Sequence, residues 1–169
     1  MAANPYSAPS ARVADVPDET AYQPARLWSA RGRIGRLRYL AYLCGMSLIL
    51  GVLSGLATAA LGEERGTLLN LTFNLPALVF CALSAIKRSH DANWSGWAAI
   101  LAFIPVLNLI LVFKSGTAGA NDYGNPAPPN TTGIKILALL FPALVVVGLL
   151  AAIALPAYQD FVERAGVQQ

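Results

Sequence analysis

The run L-A-Y-L-C-G-M-S-L-I-L-G-V-L-S-G-L-A-T-A-A-L, residues 40–61, holds 22 consecutive positions without Asp, Glu, Lys, Arg or His. At about 1.5 Å rise per residue this is a helix of roughly 33 Å, enough to cross the roughly 30 Å hydrocarbon layer of a bilayer with every backbone group bonded internally. Three more apolar runs follow, at residues 68–86, 97–113 and 136–158 of a 169-residue chain. Composition agrees: 56% of residues are hydrophobic, 12% are charged and the mean hydropathy is +0.52, whereas soluble domains carry about a quarter charged residues. The pattern predicts an all-α, polytopic membrane helix bundle of three to four transmembrane helices.

Outward from these runs the chain is polar. Residues 1–25 are rich in Ala, Pro and Ser, hold the acids Asp15, Asp18 and Glu19, and show no apolar periodicity, as expected of a disordered cytoplasmic tail. The first apolar run begins near residue 39 and is long enough to span, so no cleaved signal peptide is expected. Cys44 and Cys81 lie inside apolar runs, where a thiol behaves as a small hydrophobe rather than as half of a framework disulfide.

The net charge of +3 and pI near 9.1 would suit nucleic acid, but the placement of the cations argues otherwise. Arg26, Arg31, Arg33, Arg36 and Arg38 crowd the entry to the first run with no acid among them, and Lys87 and Arg88 close the second. Lys and Arg at the ends of spans read as orientation signals and anionic-lipid contacts. No aromatic-interleaved basic groove accompanies them, so nucleic acid is not expected as a partner.

A short polar turn, residues 62–67, joins the first two runs and makes them antiparallel neighbours. Gly51, Gly55 and Ala59 share one face of the first helix, a stripe on which another helix could pack closely. With the N-terminus cytoplasmic and four crossings, nine Lys and Arg lie inside against three outside; with a re-entrant third run the division becomes ten to two. Both arrangements put the N-terminus inside. The third run has only 17 residues and is interrupted by Pro105, with Asn108 a turn later; its length favours crossing and its proline favours re-entry.

In ordered succession, residues 32–39 (G-R-I-G-R-L-R-Y), Lys87-Arg88-Ser89-His90-Asp91 leading to Trp94-Ser95-Gly96-Trp97, Ile104-Pro105, and then Gly116-Thr117, Gly119, Asn121 and Tyr123-Gly124 resemble the bacterial inner-membrane family catalogued as domain of unknown function 805. The likeness covers about residues 26–126, leaving 127–169 as a linker and a C-terminal transmembrane helix. It implies an inner-membrane protein without an established activity. The chain departs from the family's usual pattern at Ser89 and Ser115. Residues 148–162 are similar to the N-terminal helix of type IV pilins, with Ile134 and Leu139 standing where a pilin carries its processing Gly and its Glu. That departure argues against processing, and a pilin's helix would put the C-terminus outside.

His90 beside Asp91, Lys87 and Arg88 is the strongest chemical cluster in the chain: an imidazole next to a carboxylate can act as base, ligand or phosphate contact. The same residues also suit the end of a helix, with the cations against its C-terminal dipole and Trp94 and Trp97 as interfacial anchors. The segment 116–129, with its Gly, Pro and Asn-Asp, dictates tight turns; it lacks the Gly-Lys-Ser/Thr ending of a phosphate loop. No nucleophile elbow, Cys-x-x-Cys pair or zinc-protease helix is present, and the two ligands His90 and Asp91 are too few for a metal, so neither an enzyme nor a cofactor is expected. The runs contain no ionisable groups for coupled transport; Asn74 and Asn108 are the candidates should the chain oligomerise into a channel. The expected role is binding or scaffolding: Arg31, Arg33, Arg36, Arg38, Lys87, Arg88, His90 and Asp91 would form a cytoplasmic surface for anionic lipid or a protein partner, a second copy included.

Overall fold

The computed structural model describes residues 22–166; the expected disordered tail therefore lies, through residue 21, outside the described residues. Three α-helices and one 3₁₀ helix make up the structure, in the order α1 (Arg36–Asp91), 3₁₀ (Gly96–Phe103), α2 (Pro105–Phe113) and α3 (Thr132–Gly166). Among the described residues the only extended pairing is an isolated bridge between Asn121 and Gly124.

α1 is two helices joined at a bend. Gly62 sits at φ 78 and ψ 172, a backbone region open to glycine and strained for any residue with a Cβ, and the polar 63–65 segment follows it. The arms, residues 36–61 and 63–91, run antiparallel. The Ile34 amide donates to the Lys87 carbonyl at 3.2 Å, and the Tyr42 ring lies 5.7 Å from that of Phe80. Close to the bend, a Cβ on Gly66 would come within 2.8 Å of the Thr58 Cα, so Gly66 is where the arms touch backbone to backbone. Each arm is roughly 40 Å long, sufficient to cross a bilayer.

The contact face between the arms differs from the expected one. Gly51, Gly55 and Ala59 are exposed, and neither glycine has a neighbour within 4 Å of the place a Cβ would take. Ala57 and Thr58 point at the partner arm instead, a rotation of about a third of a turn that a stripe of small residues cannot specify, since small residues permit approach from any side.

The third apolar run does not cross as a single helix. Ile104 is extended at φ −110 and ψ 111, as the residue before a proline prefers, and Pro105 then starts α2 at the one helical position where its missing N–H costs nothing. The 3₁₀ helix and α2 span roughly 16 and 14 Å, about half the hydrocarbon thickness each. Both ends of the pair return to the C-terminal end of α1. Gly96 lies against Ile86 and His90, while the carbonyls of Leu111 and Lys114 accept hydrogen bonds from Arg88. Within the fold the third run therefore turns back at Ile104–Pro105.

α3 begins at that same end, where Arg38 Nη2 donates to the carbonyls of Pro128 and Pro129. Its 35 residues extend roughly 52 Å, so its C-terminus lies at the far end. Among the described residues, Arg36–Asp91 and Thr132–Gly166 are the two helices long and apolar enough to cross a membrane. Large apolar side chains such as Val52, Leu56, Leu75, Val147 and Ile153 face outward, the arrangement that lipid rather than water rewards. The small core of Ile34, Tyr39, Ala85, Ala99 and Leu111 sits at the end where the arms, α2 and the 3₁₀ helix converge.

Candidate functional site: the basic end

One carboxylate organises this end. Asp91, on the last turn of α1, accepts from Arg33 Nη2 at 3.1 Å and Nε at 3.3 Å on one oxygen, and from Arg88 Nη1 at 2.9 Å on the other. Both arginine side chains are 0% exposed. Two buried guanidinium groups against one carboxylate leave donors over, and backbone carbonyls take them. Arg33 reaches Gly119 at 2.7 Å, Gly124 at 3.1 Å and Thr117 at 2.6 Å, and Arg88 reaches Leu111 at 2.7 Å and Lys114. Such charge-assisted bonds are the stronger kind, and they draw the 114–124 loop onto the helix end.

The loop is shaped to receive them. A Cβ on Gly116 would stand 2.0 Å from Asp91 Oδ2, so only glycine lets the loop pass the carboxylate. Thr117 donates to the Asp91 carbonyl through its amide at 2.8 Å and its hydroxyl at 3.0 Å. Asn121 Nδ2 donates to the His90 carbonyl at 2.8 Å and to the Thr117 hydroxyl at 2.7 Å. Gly119 and Gly124 adopt positive φ, and a Cβ on Gly124 would lie 2.6 Å from Gln23 Oε1.

Residues 22–35 form a strap across the same end. The Gln23 amide donates to the Pro126 carbonyl at 2.9 Å, so residues 22–25 of the expected tail are fastened to the membrane domain. Lys87 Nζ donates to the carbonyls of Arg26 at 2.8 Å and Leu27 at 3.1 Å, holding the strap from beneath. His90 Nδ1 lies 3.3 Å from the Gly32 carbonyl, to which it donates when it carries the proton, and the ring stacks on Tyr123 at 3.9 Å between centroids and 5° between planes. These groups lie beyond the apolar run that ends at residue 86. Burial lowers the pKa of Lys87 and of His90, the latter against an opposing bond from Gly32, and burial lowers Arg88 against the opposing attraction of Asp91.

The sequence reading placed eight residues on one surface; the structure places them at one end but turns most inward. Arg33, Arg38, Lys87, Arg88 and Asp91 are buried and bonded within the fold, and His90 is partly covered. Of the eight, Arg31 and Arg36 remain exposed. The correction has a simple cause: four cations near one acid satisfy their donors on backbone carbonyls that composition does not reveal. Arg26, Lys114 and Lys135 are the further exposed cations here, and Tyr22, Trp28, Trp97 and Phe113 stand exposed beside them.

The two asparagines named as pore candidates do not line a common path. Asn74 donates to the Asn70 carbonyl of its own helix, whereas Asn108 accepts from the Tyr39 hydroxyl at 2.8 Å. Among the described residues no three His, Cys, Asp or Glu side chains are grouped to hold a metal ion.

Charge separates along the molecule. At the strap end, described residues supply nine Lys and Arg against Asp91 and Asp122, a formal +7. At the far end, Arg65 and Arg164 meet Glu63, Glu64, Asp160 and Glu163, a formal −2.

Comparison with known proteins fits this picture. Residues 27–125 match the family described as protein of unknown function (DUF805). Inner membrane protein YhaI of Escherichia coli (strain K12) is 36% identical over 98 residues, covering 56% of this chain and 81% of the relative. Inner membrane protein YhaH of the same organism is 35% identical over 101 residues, covering 56% of this chain and 83% of the relative. No solved structure matches. The family match includes the strap from Leu27, the hairpin, the turned-back segment and the glycine-rich loop, and stops before α3. This all-helical membrane chain therefore belongs to the DUF805 family of inner-membrane proteins.

Proposed function

We propose that the chain is a non-enzymatic membrane platform whose basic end lies at the cytoplasmic leaflet and gathers anionic lipid around it. The observation that carries this reading is the charge separation of +7 against −2 between the two ends, with exposed Arg26, Arg31, Arg36, Lys114 and Lys135 ringing the first. A cation near an anionic leaflet is worth about 1 kcal/mol, so five exposed ones outweigh the entropy of recruiting a few lipids. The same asymmetry supports an N-terminus inside and, with the third run turned back, three crossings and a C-terminus outside. Trp97, 89% exposed, suits the headgroup level, and His90 is engaged in positioning the strap and loop rather than left free for chemistry.

Spin-labelled phosphatidylglycerol and phosphatidylcholine in membranes holding the full-length protein test the proposal. The expected result is preferential immobilisation of phosphatidylglycerol that shrinks as the Debye length falls to about 3 Å at 1 M salt. Equal immobilisation of the two lipids at low salt overturns it.

A further inference from the structure

We infer that the strap contains a discrete site for the phosphate of an anionic phospholipid, built from Arg26, Ser29 and Arg31; this deepens the reading above and rests on it. Most arginines at this end are saturated: Arg33 and Arg88 spend their donors on Asp91 and carbonyls, and Arg38 binds Pro128 and Pro129. Arg26 and Arg31 differ, because among the described residues neither guanidinium has a hydrogen bond or ion pair, and the two residues line a hollow of about 290 Å³ with Gln23, Pro24 and Ser29. The Ser29 hydroxyl accepts from the Arg31 amide at 3.1 Å, which fixes its oxygen and leaves its hydrogen to donate. Two guanidinium groups and a hydroxyl donor in one concavity are the chemistry that recognises a phosphate.

The hollow is held in shape before any ligand arrives. Lys87 grips the carbonyls of Arg26 and Leu27, Gln23 is tied to Pro126, and Gly32 is bonded to His90, so the strap between them is fixed at three points. A preformed site spares the ordering cost that weakens binding by flexible loops. Depth identifies the source of the phosphate as a lipid. Trp28 lies edge-on to Phe80 at 5.7 Å between centroids, and Phe80 is about 10 Å down the helix from Lys87, inside the apolar run. Leu27 and Trp28, which stand between Arg26 and Ser29 in the chain, are exposed, Trp28 by 63%, and offer apolar surface along which acyl chains of a lipid seated by its phosphate would pass. A neighbouring hollow of about 430 Å³ shares Gln23 and Arg31 and leaves room for the headgroup beyond the phosphate.

Native mass spectrometry of the full-length protein in detergent, with phosphatidylglycerol or phosphatidylcholine added, tests the site. The wild type is expected to retain one phosphatidylglycerol per chain in preference to phosphatidylcholine. Arg26→Gln/Arg31→Gln should lower that retention roughly thirtyfold, the effect of two surface cations, while Lys114→Gln/Lys135→Gln, which removes two cations of the ring outside the hollow, should lower it far less. Among the described residues the side chains of Arg26, Arg31 and Lys135 carry no hydrogen bond or ion pair, and Lys114 Nζ lies 5.4 Å from the centroid of the Trp94 ring, so melting of each variant is measured alongside and should stay near that of the wild type. Equal losses in both double variants, with the spin-label preference intact, overturn the discrete site and leave the broader platform standing. Undiminished retention in Arg26→Gln/Arg31→Gln also overturns it. Glycerol 3-phosphate binding as tightly as the lipid and displacing it overturns the assignment to a membrane lipid.

Discussion

Asp91→Asn removes the one negative charge facing two fully buried guanidinium groups while keeping the shape of the side chain. The amide oxygen can still accept from Arg33, but its nitrogen then meets Arg88 Nη1 donor to donor at what is now a 2.9 Å hydrogen bond. Removing one partner of a buried ion pair costs about 3–5 kcal/mol, because the other charge stays buried without compensation. The carbonyls of Leu111, Lys114, Thr117, Gly119 and Gly124 still solvate the arginines, which places the expected cost near the lower value. At roughly 2–4 °C per kcal/mol for a chain of this size, melting should fall by about 10 °C. A thiol-reactive fluorogenic dye reads this directly in a Cys81→Ala background, since Cys44 is 1% exposed and reacts only on unfolding. Arg36→Gln is the control: its side chain is exposed and its one hydrogen bond among the described residues, to the Phe113 carbonyl, is a long 3.5 Å, so its effect should stay within about 0.5 kcal/mol. Melting of Asp91→Asn within about 2 °C of the wild type would show that Asp91 does not hold the basic end together.

Gly116→Ala should destabilise by about 1–3 kcal/mol, since its Cβ overlaps a carboxylate clamped on both sides, whereas Gly148→Ala, with open space around it, should be neutral or better; the same melting assay separates them. Lys87→Met removes the two bonds under the strap, and trypsin should then cut after Arg26 and Arg31 at least tenfold faster than in the wild type, with an unchanged rate counting against the clamp. Single cysteines introduced at residues 30, 119 and 130 in a cysteine-free chain should react with an impermeant thiol reagent from one side of the membrane, and one at residue 160 from the other. Residues 119 and 30 on opposite sides would refute the turned-back segment.

The apolar run at residues 40–61 and its three successors determine by themselves that this chain lives in lipid, because length without charge has one stable solution in hydrocarbon. The polar turn at 62–67 likewise determines the antiparallel hairpin, and cations at the span ends determine which end is basic. What sequence leaves undecided is whether residues 97–113 form one helix or fold back, since Pro105 permits both; tertiary contacts fold the segment back, as Arg88 binds the carbonyls at its far end. Whether an arginine faces solvent or the interior is also invisible in one dimension. Arg31 and Arg33 are two residues apart, yet only Arg33 meets Asp91 and the carbonyls of a loop some 85 residues away, acceptors that every residue carries and no composition displays.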